Sequence, residues 1–207
     1  MKEDKPYVTY LFFGINIMVF LVLEKMGSTE YDMEFMIRMG AVWPENIREK
    51  GEYWRLLTAA FLHFGFGHLL NNMLLLFCAG PILERAMGHV RYFILYLCAA
   101  VGGCGLSCLY MLHTGDYAVS AGASGAIFGV IAGLLWVVVQ NRGHYETLTD
   151  WGILFMIVLS LYIGITSAGV DNWGHIGGLL TGSLLSVFLY RKKPKGVKGA
   201  EAGHEGQ

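Results

Sequence analysis

The sequence predicts an all-α integral membrane protein, a bundle of six transmembrane helices with a long first external loop. Three observations predict it. Of 207 residues, 55% are hydrophobic and 15% charged, with a mean hydropathy of +0.48, whereas a soluble domain carries about 25% charge. Apolar runs near the ~20 residues needed to cross the hydrocarbon recur six times. Lys and Arg gather in alternate short loops, as insertion topology requires.

The first run, Tyr7 to Leu23, is followed by Glu24-Lys25 without an Ala-x-Ala cleavage pattern, so it reads as a retained span. In the long loop from Glu24 to Phe66, Phe35, Met36 and Met39 at helical spacing predict a short amphipathic helix in the interface. The remaining spans are expected at Gly67 to Leu83, Tyr92 to Leu112, Ala123 to Val139, Gly152 to Ala168 and His175 to Tyr190. Six spans leave no room for a separate soluble domain, so residues 1–190 read as one membrane domain. Residues 191–207, basic and then polar, read as a disordered cytoplasmic tail. Cys78, Cys98, Cys104 and Cys108 fall inside spans, where they act as small apolar residues and not as a disulfide framework.

Orientation follows from the basic residues. Arg85 and Arg91 flank the turn between the second and third spans, Arg142 lies between the fourth and fifth, and Arg191-Lys192-Lys193 follow the sixth. The turns around Asp116 and from Ser167 to Trp173 hold neither Lys nor Arg. Both termini are then cytoplasmic. The first loop is the exception, with Lys25, Arg38, Arg48, Lys50 and Arg55 outside, and loops of its length obey the charge rule less strictly. A net charge of -1 gives no reason to expect a nucleic-acid partner.

Topology brings chemistry together. The second, fourth and sixth spans all enter from the outer side, so His68 with Asn72, Ser124, and His175 share one depth in the outer leaflet. Polar groups inside a bilayer are costly and mark function or a paired structural contact. Ser124 sits in Gly122-Ala123-Ser124-Gly125, which continues as a ladder through Gly129 and Gly133. Such ladders mean close helix packing. They also strip away bulk so that a substrate backbone can approach the serine, and both readings can hold. His175 lies in a second ladder, Gly174, Gly178 and Gly182, that would press the sixth span against the fourth. A lone membrane histidine is more often a helix contact than a catalyst, but here its partner helix carries a serine in a glycine pocket. A neutral imidazole beside a hydroxyl is the minimal activation of a serine nucleophile.

Asp171, four residues before His175, is expected to be solvated in a short external loop, so the residues predict a dyad and not a triad. No pair of aspartates lies within the spans, which excludes a two-aspartate intramembrane protease. Glu84 is at the opposite membrane surface, and His204-Glu205 lacks the second histidine of a zinc-protease helix. A metal site from His63, His68 and His175 is disfavoured because residues five apart do not stack on one helical face.

Together the motifs resemble the rhomboid family of intramembrane serine proteases. The likeness rests on Gly122-Ala123-Ser124-Gly125 with Gly129, on Gly174-His175-Ile176-Gly177-Gly178, and on Trp54-Arg55 followed by His63 and the pair His68-x-x-x-Asn72. It covers roughly Trp54 to Tyr190, with six helices as in the basic bacterial form.

The resemblance implies that Ser124 is the nucleophile and His175 the general base and acid. It implies an oxyanion hole from the side chains of His68 and Asn72 with the Ser124 amide, and a bracing role for Arg55 and His63 in a partly membrane-embedded first loop. Gly122, Gly125, Phe128 and Trp173 are expected to line or support the substrate pocket. Phe128 stands where some members carry a tyrosine that stacks on the catalytic histidine; a phenyl ring can stack but cannot donate a hydrogen bond. A gate is expected from Tyr162 to Trp173, with Gly164 and Gly169 as hinges. The implied substrates are single-span membrane proteins, cut near the outer surface without a cofactor. The lean is towards a bacterial plasma membrane, and the oligomeric state is not readable. The competing reading is an inactive relative that binds and escorts transmembrane helices.

Overall fold

Twenty residues following Pro6 form α1, Tyr7–Met26. The structure, a computed structural model, describes residues 5–166 and 169–192. The expected disordered tail therefore lies, from residue 193 onward, outside the described residues. The start of α1 has no cap of its own. The buried Glu84 carboxylate supplies one, accepting from the amides of Val8 at 2.9 Å and Thr9 at 2.8 Å and from the Thr9 hydroxyl at 2.6 Å.

The first loop is more structured than the single interfacial helix expected. It holds α2, Met33–Met39, α3, Pro44–Lys50, α4, Arg55–Thr58, and a 3-10 turn, Ala59–Phe61. Asp32 caps α2 by accepting from the Phe35 amide at 2.8 Å. Phe35 and Met36 bury against Leu23, Ala41 and Leu62, so the apolar face of α2 packs into the protein itself.

Five long helices follow: α5, Gly65–Met87, α6, His89–Thr114, α7, Ser124–Gln140, α8, Asp150–Thr166, and α9, Asn172–Leu189. Among the described residues, α1, α5 and α6 are long and apolar enough to cross a membrane, while α7 and Asp150–Tyr162 are apolar but shorter. Between α7 and α8, just after Arg142, residues His144–Tyr145 (β1) pair antiparallel with Leu148–Thr149 (β2).

The shortness of α7 matches its position. Every residue from Gly125 to Leu134 is buried, so this helix is the axis around which α5, α6 and α9 pack. Glycine makes that packing possible. A Cβ at Gly178 would fall on the carbonyl oxygen of Gly125, and one at Gly182 on that of Gly129. On the other side of α9, a Cβ at Gly177 would stand 2.6 Å from the Gly102 carbonyl oxygen, and one at Gly103 would stand 2.7 Å from that of Gly174. Backbone-to-backbone contact of this kind substitutes for the hydrophobic driving force that lipid does not supply between helices. The two ladders read from sequence do meet, and α6 adds a third.

Helix α8 is different. Trp151, Phe155, Val158 and Tyr162 are exposed, and Ile153 alone among its described side chains is fully buried.

Candidate active site

The segment that leads into α7 is held from the first loop. Val42 and Ser120 exchange both backbone hydrogen bonds, at 2.8 and 3.1 Å, and the Gly122 amide donates to the Ala59 carbonyl at 2.9 Å. His63, buried between the 3-10 turn and α5, accepts from the Ala123 amide through Nε2 at 3.5 Å. Arg55 anchors the loop in turn. It donates through Nε to Glu52 at 2.6 Å and through one terminal nitrogen to the carbonyls of Ile37 at 2.5 Å and Ala41 at 3.0 Å. A charge-assisted bond with two carbonyl contacts ties three points of the loop together.

Ser124 is the first residue of α7, where the opening amides have no partner inside the helix and the dipole end is positive. His175 occupies the first turn of α9, and the Gly125–Gly178 contact one turn below brings that turn beside Ser124. The His175 ring stacks on Phe128, 4.2 Å between centroids and 15° between planes. Its Nδ1 is buried with no hydrogen-bond partner among the described residues.

His68 and Asn72, four residues apart in the first turns of α5, share one face of that helix. Gly122 has φ +144°, a conformation that side chains rarely adopt, and a Cβ there would lie 2.8 Å from His68 Cε1, 2.9 Å from His68 Nε2 and 3.7 Å from Ser124 Oγ. Glycine at 122 thus lets the backbone lie directly against the His68 imidazole, with Ser124 Oγ close by. Buried Asn72 leaves its Nδ2 donor unspent among the described residues.

Asp171 corrects one expectation. It is half-buried and engaged, not simply solvated: Oδ1 caps α9 by accepting from the Gly174 amide at 2.8 Å, and Oδ2 accepts from the Ser120 hydroxyl at 2.5 Å. Asp171 therefore spends itself on the helix start and on the segment before Ser124. Ser120 was missed in the sequence because a serine in an external turn carries no periodic signal. Trp173 lies half-exposed on α9 and stacks on Tyr110 of α6, 4.5 Å between centroids. Of the expected gate, residues 167–168 lie outside the described residues, Gly164 falls within α8, and Gly169 has φ +78°. Among the described residues, no three His, Cys, Asp or Glu side chains gather as metal ligands.

The Rhomboid domain model matches residues 50–192. The chain belongs to the rhomboid family. It is 38% identical over 188 residues to the rhomboid protease GluP of Bacillus subtilis, a match covering 91% of this chain and 36% of GluP. Against RHOMBOID-like protein 4 of Arabidopsis thaliana it is 37% identical over 157 residues, 73% of this chain and 38% of that protein. YdcA of Bacillus subtilis is 34% identical over 145 residues, 70% of this chain and 71% of YdcA. The chain thus spans less than half the length of the first two relatives. Membership in the rhomboid family, with the apolar helices, makes it an integral membrane protein. The matched region takes in all the residues gathered around Ser124.

Proposed function

We propose that this chain is an intramembrane serine endopeptidase in which Ser124 and His175 form the catalytic dyad. The observation that carries the reading is the convergence of His68 Nε2 and Ser124 Oγ on one point at Gly122, with the unspent Asn72 amide on the same face of α5 as His68. Ser124 Oγ attacks the scissile carbonyl carbon while neutral His175 takes the hydroxyl proton. The carbonyl oxygen, now an anion, accepts from His68, Asn72 and the Ser124 amide, donors fixed before the charge develops. His175 returns the proton to the leaving amine, and water then hydrolyses the acyl-enzyme by the same steps in reverse order. Stacking on Phe128, in place of a carboxylate on Nδ1, holds the imidazole.

The substrates are transmembrane segments. A peptide bond in a regular helix is shielded and its carbonyl is hydrogen-bonded, so local unwinding precedes attack. Access runs past α8, most of whose described residues from Asp150 to Tyr162 are exposed, and the stretch from Tyr162 to Trp173 opens it.

In this reading all of α1 and α5 to α9 span the bilayer, residues 1–190 act as one domain, and residues 191–207 form a cytoplasmic tail. Helix α7, about 25 Å long, spans without matching the full hydrocarbon thickness because other helices surround it. Both termini face the cytoplasm of a bacterial cell and the site opens to the outer leaflet, consistent with Arg85, Arg142 and Lys192 at the opposite end.

A fluorophosphonate probe tests the dyad. It should label the purified parent and neither Ser124→Ala nor His175→Ala. Equal labelling of Ser124→Ala would move the nucleophile elsewhere.

A further inference from the structure

The C-terminal ends of α5, α7 and α9 meet at the face opposite Ser124, separated from it by the 17 residues of α7, about 25 Å. There Arg85, Ala86, Asn141, Tyr145, Tyr190 and Lys192 line a cavity of about 140 Å³. None of these residues takes part in the chemistry proposed above. At roughly 30 Å³ per water the cavity has room for four or five waters, the scale of one tetrahedral anion with its ester oxygens.

The lining is built for an anion. Arg85 spends one terminal nitrogen on Glu146, at 3.2 and 3.5 Å from its two carboxylate oxygens, which leaves the rest of a five-donor fork. Lys192 donates to the last-turn carbonyl of Gln140 at 2.6 Å and keeps two further N–H donors. Asn141 Nδ2 donates to the Tyr190 hydroxyl at 2.9 Å, so that hydroxyl's own proton is free to point inward. Tyr145 brings a second hydroxyl from β1. Glu146 is held at φ +50°, an uncommon conformation for a non-glycine residue, and its carboxylate occupies Arg85 from the outside.

Two cations and two hydroxyls around one small space match phosphate oxygens better than a carboxylate, which has fewer acceptors to offer. We propose that this cavity binds a phosphate ester, with Arg85 and Lys192 clamping the phosphoryl oxygens and Glu146 displaced from Arg85 on binding. Its place at the membrane-surface end of three spans fits the headgroup of an anionic phospholipid; a soluble phosphate ester presents the same chemistry.

Parent and variants are reconstituted in nanodiscs of equal phosphatidylglycerol and phosphatidylcholine, and lipids retained on release are counted by native mass spectrometry. A second arm titrates glycerol phosphate against thermal unfolding in phosphatidylcholine nanodiscs. The parent should retain phosphatidylglycerol over phosphatidylcholine, and Arg85→Gln/Lys192→Gln should reduce that preference about 25-fold, two cations at about fivefold each. Glu146→Gln, which removes the competing anion, should keep or raise it. Arg91→Gln/Arg191→Gln, an equal loss of charge outside the cavity, should leave it unchanged. Saturable stabilisation by glycerol phosphate in the parent, absent from Arg85→Gln/Lys192→Gln, assigns the site to a soluble ester and supports the clamp. Equal phosphatidylglycerol retention by parent and Arg85→Gln/Lys192→Gln without a glycerol phosphate response overturns it. So does an equal loss in Arg91→Gln/Arg191→Gln, or a loss in Glu146→Gln.

Discussion

The Phe128 ring lies against the His175 imidazole, 4.2 Å between centroids with planes 15° apart. Because His175 Nδ1 has no hydrogen-bond partner among the described residues, this stack is what fixes the ring. Phe128→Tyr preserves the face and should keep most of the activity. Phe128→Ala removes a pair worth about 0.5–1.5 kcal/mol and leaves a void, so turnover should fall about tenfold. Steady-state cleavage at matched thermal stability checks both; a collapse in Phe128→Tyr would contradict the stacking role.

Asp171 joins two parts of the site, the Gly174 amide at 2.8 Å and the Ser120 hydroxyl at 2.5 Å. Asp171→Ala should cost about 0.5–2 kcal/mol through the lost cap and lower kcat more than it changes KM. Asp171→Asn retains both acceptor contacts through its carbonyl oxygen only in part, and should recover more activity than Ala. Loss of kcat that is equal in Asn and Ala would point to the charge and not to the cap.

Backbone contact between α7 and α9 leaves no volume for a methyl group at Gly178 or Gly182. Either alanine substitution should destabilise by about 1–3 kcal/mol or more and separate Ser124 from His175. Gly105→Ala, where a Cβ meets nothing within 4 Å, is the neutral control. Melting in detergent reads the difference, and a Gly178→Ala protein as stable as Gly105→Ala would contradict the packing.

His63 lies outside the spanning helices, and burial, with His68 nearby, pushes its pKa down to about 3 from 6.5. The folded protein keeps it neutral while the unfolded chain takes up a proton below about 6.5. Stability from this residue is therefore full above that pH and is lost as pH falls from 6.5 towards 3, by at most about 1.4 kcal/mol per unit. His63→Gln should melt with less dependence on pH between 7.5 and 5.5 than the parent; identical slopes would contradict the assignment.

Much of this was legible in the sequence for reasons that can be named. Hydropathy located the long helices within a few residues, and the two glycine ladders predicted the α7–α9 contact because small residues four apart have few other uses in lipid. What stayed hidden was long-range polar pairing. Glu84 capping α1 across 75 residues and Ser120 meeting Asp171 across 51 leave no periodic trace. The partner ladder in α6 was visible as Gly102-Gly103 but could not be assigned, since nothing in a glycine pair says which neighbour it faces. Only one short helix is legible within the first loop, because Pro44 and Gly51 bound a further element too short for a hydrophobic period to register.

The most direct measurement is cleavage of a single-span model substrate in liposomes by the parent, Ser124→Ala and His175→Ala, each shown to be folded by its melting transition. Both variants should lose product formation by about 10³-fold or more while the parent cleaves. Cleavage that persists in either folded variant would contradict the dyad.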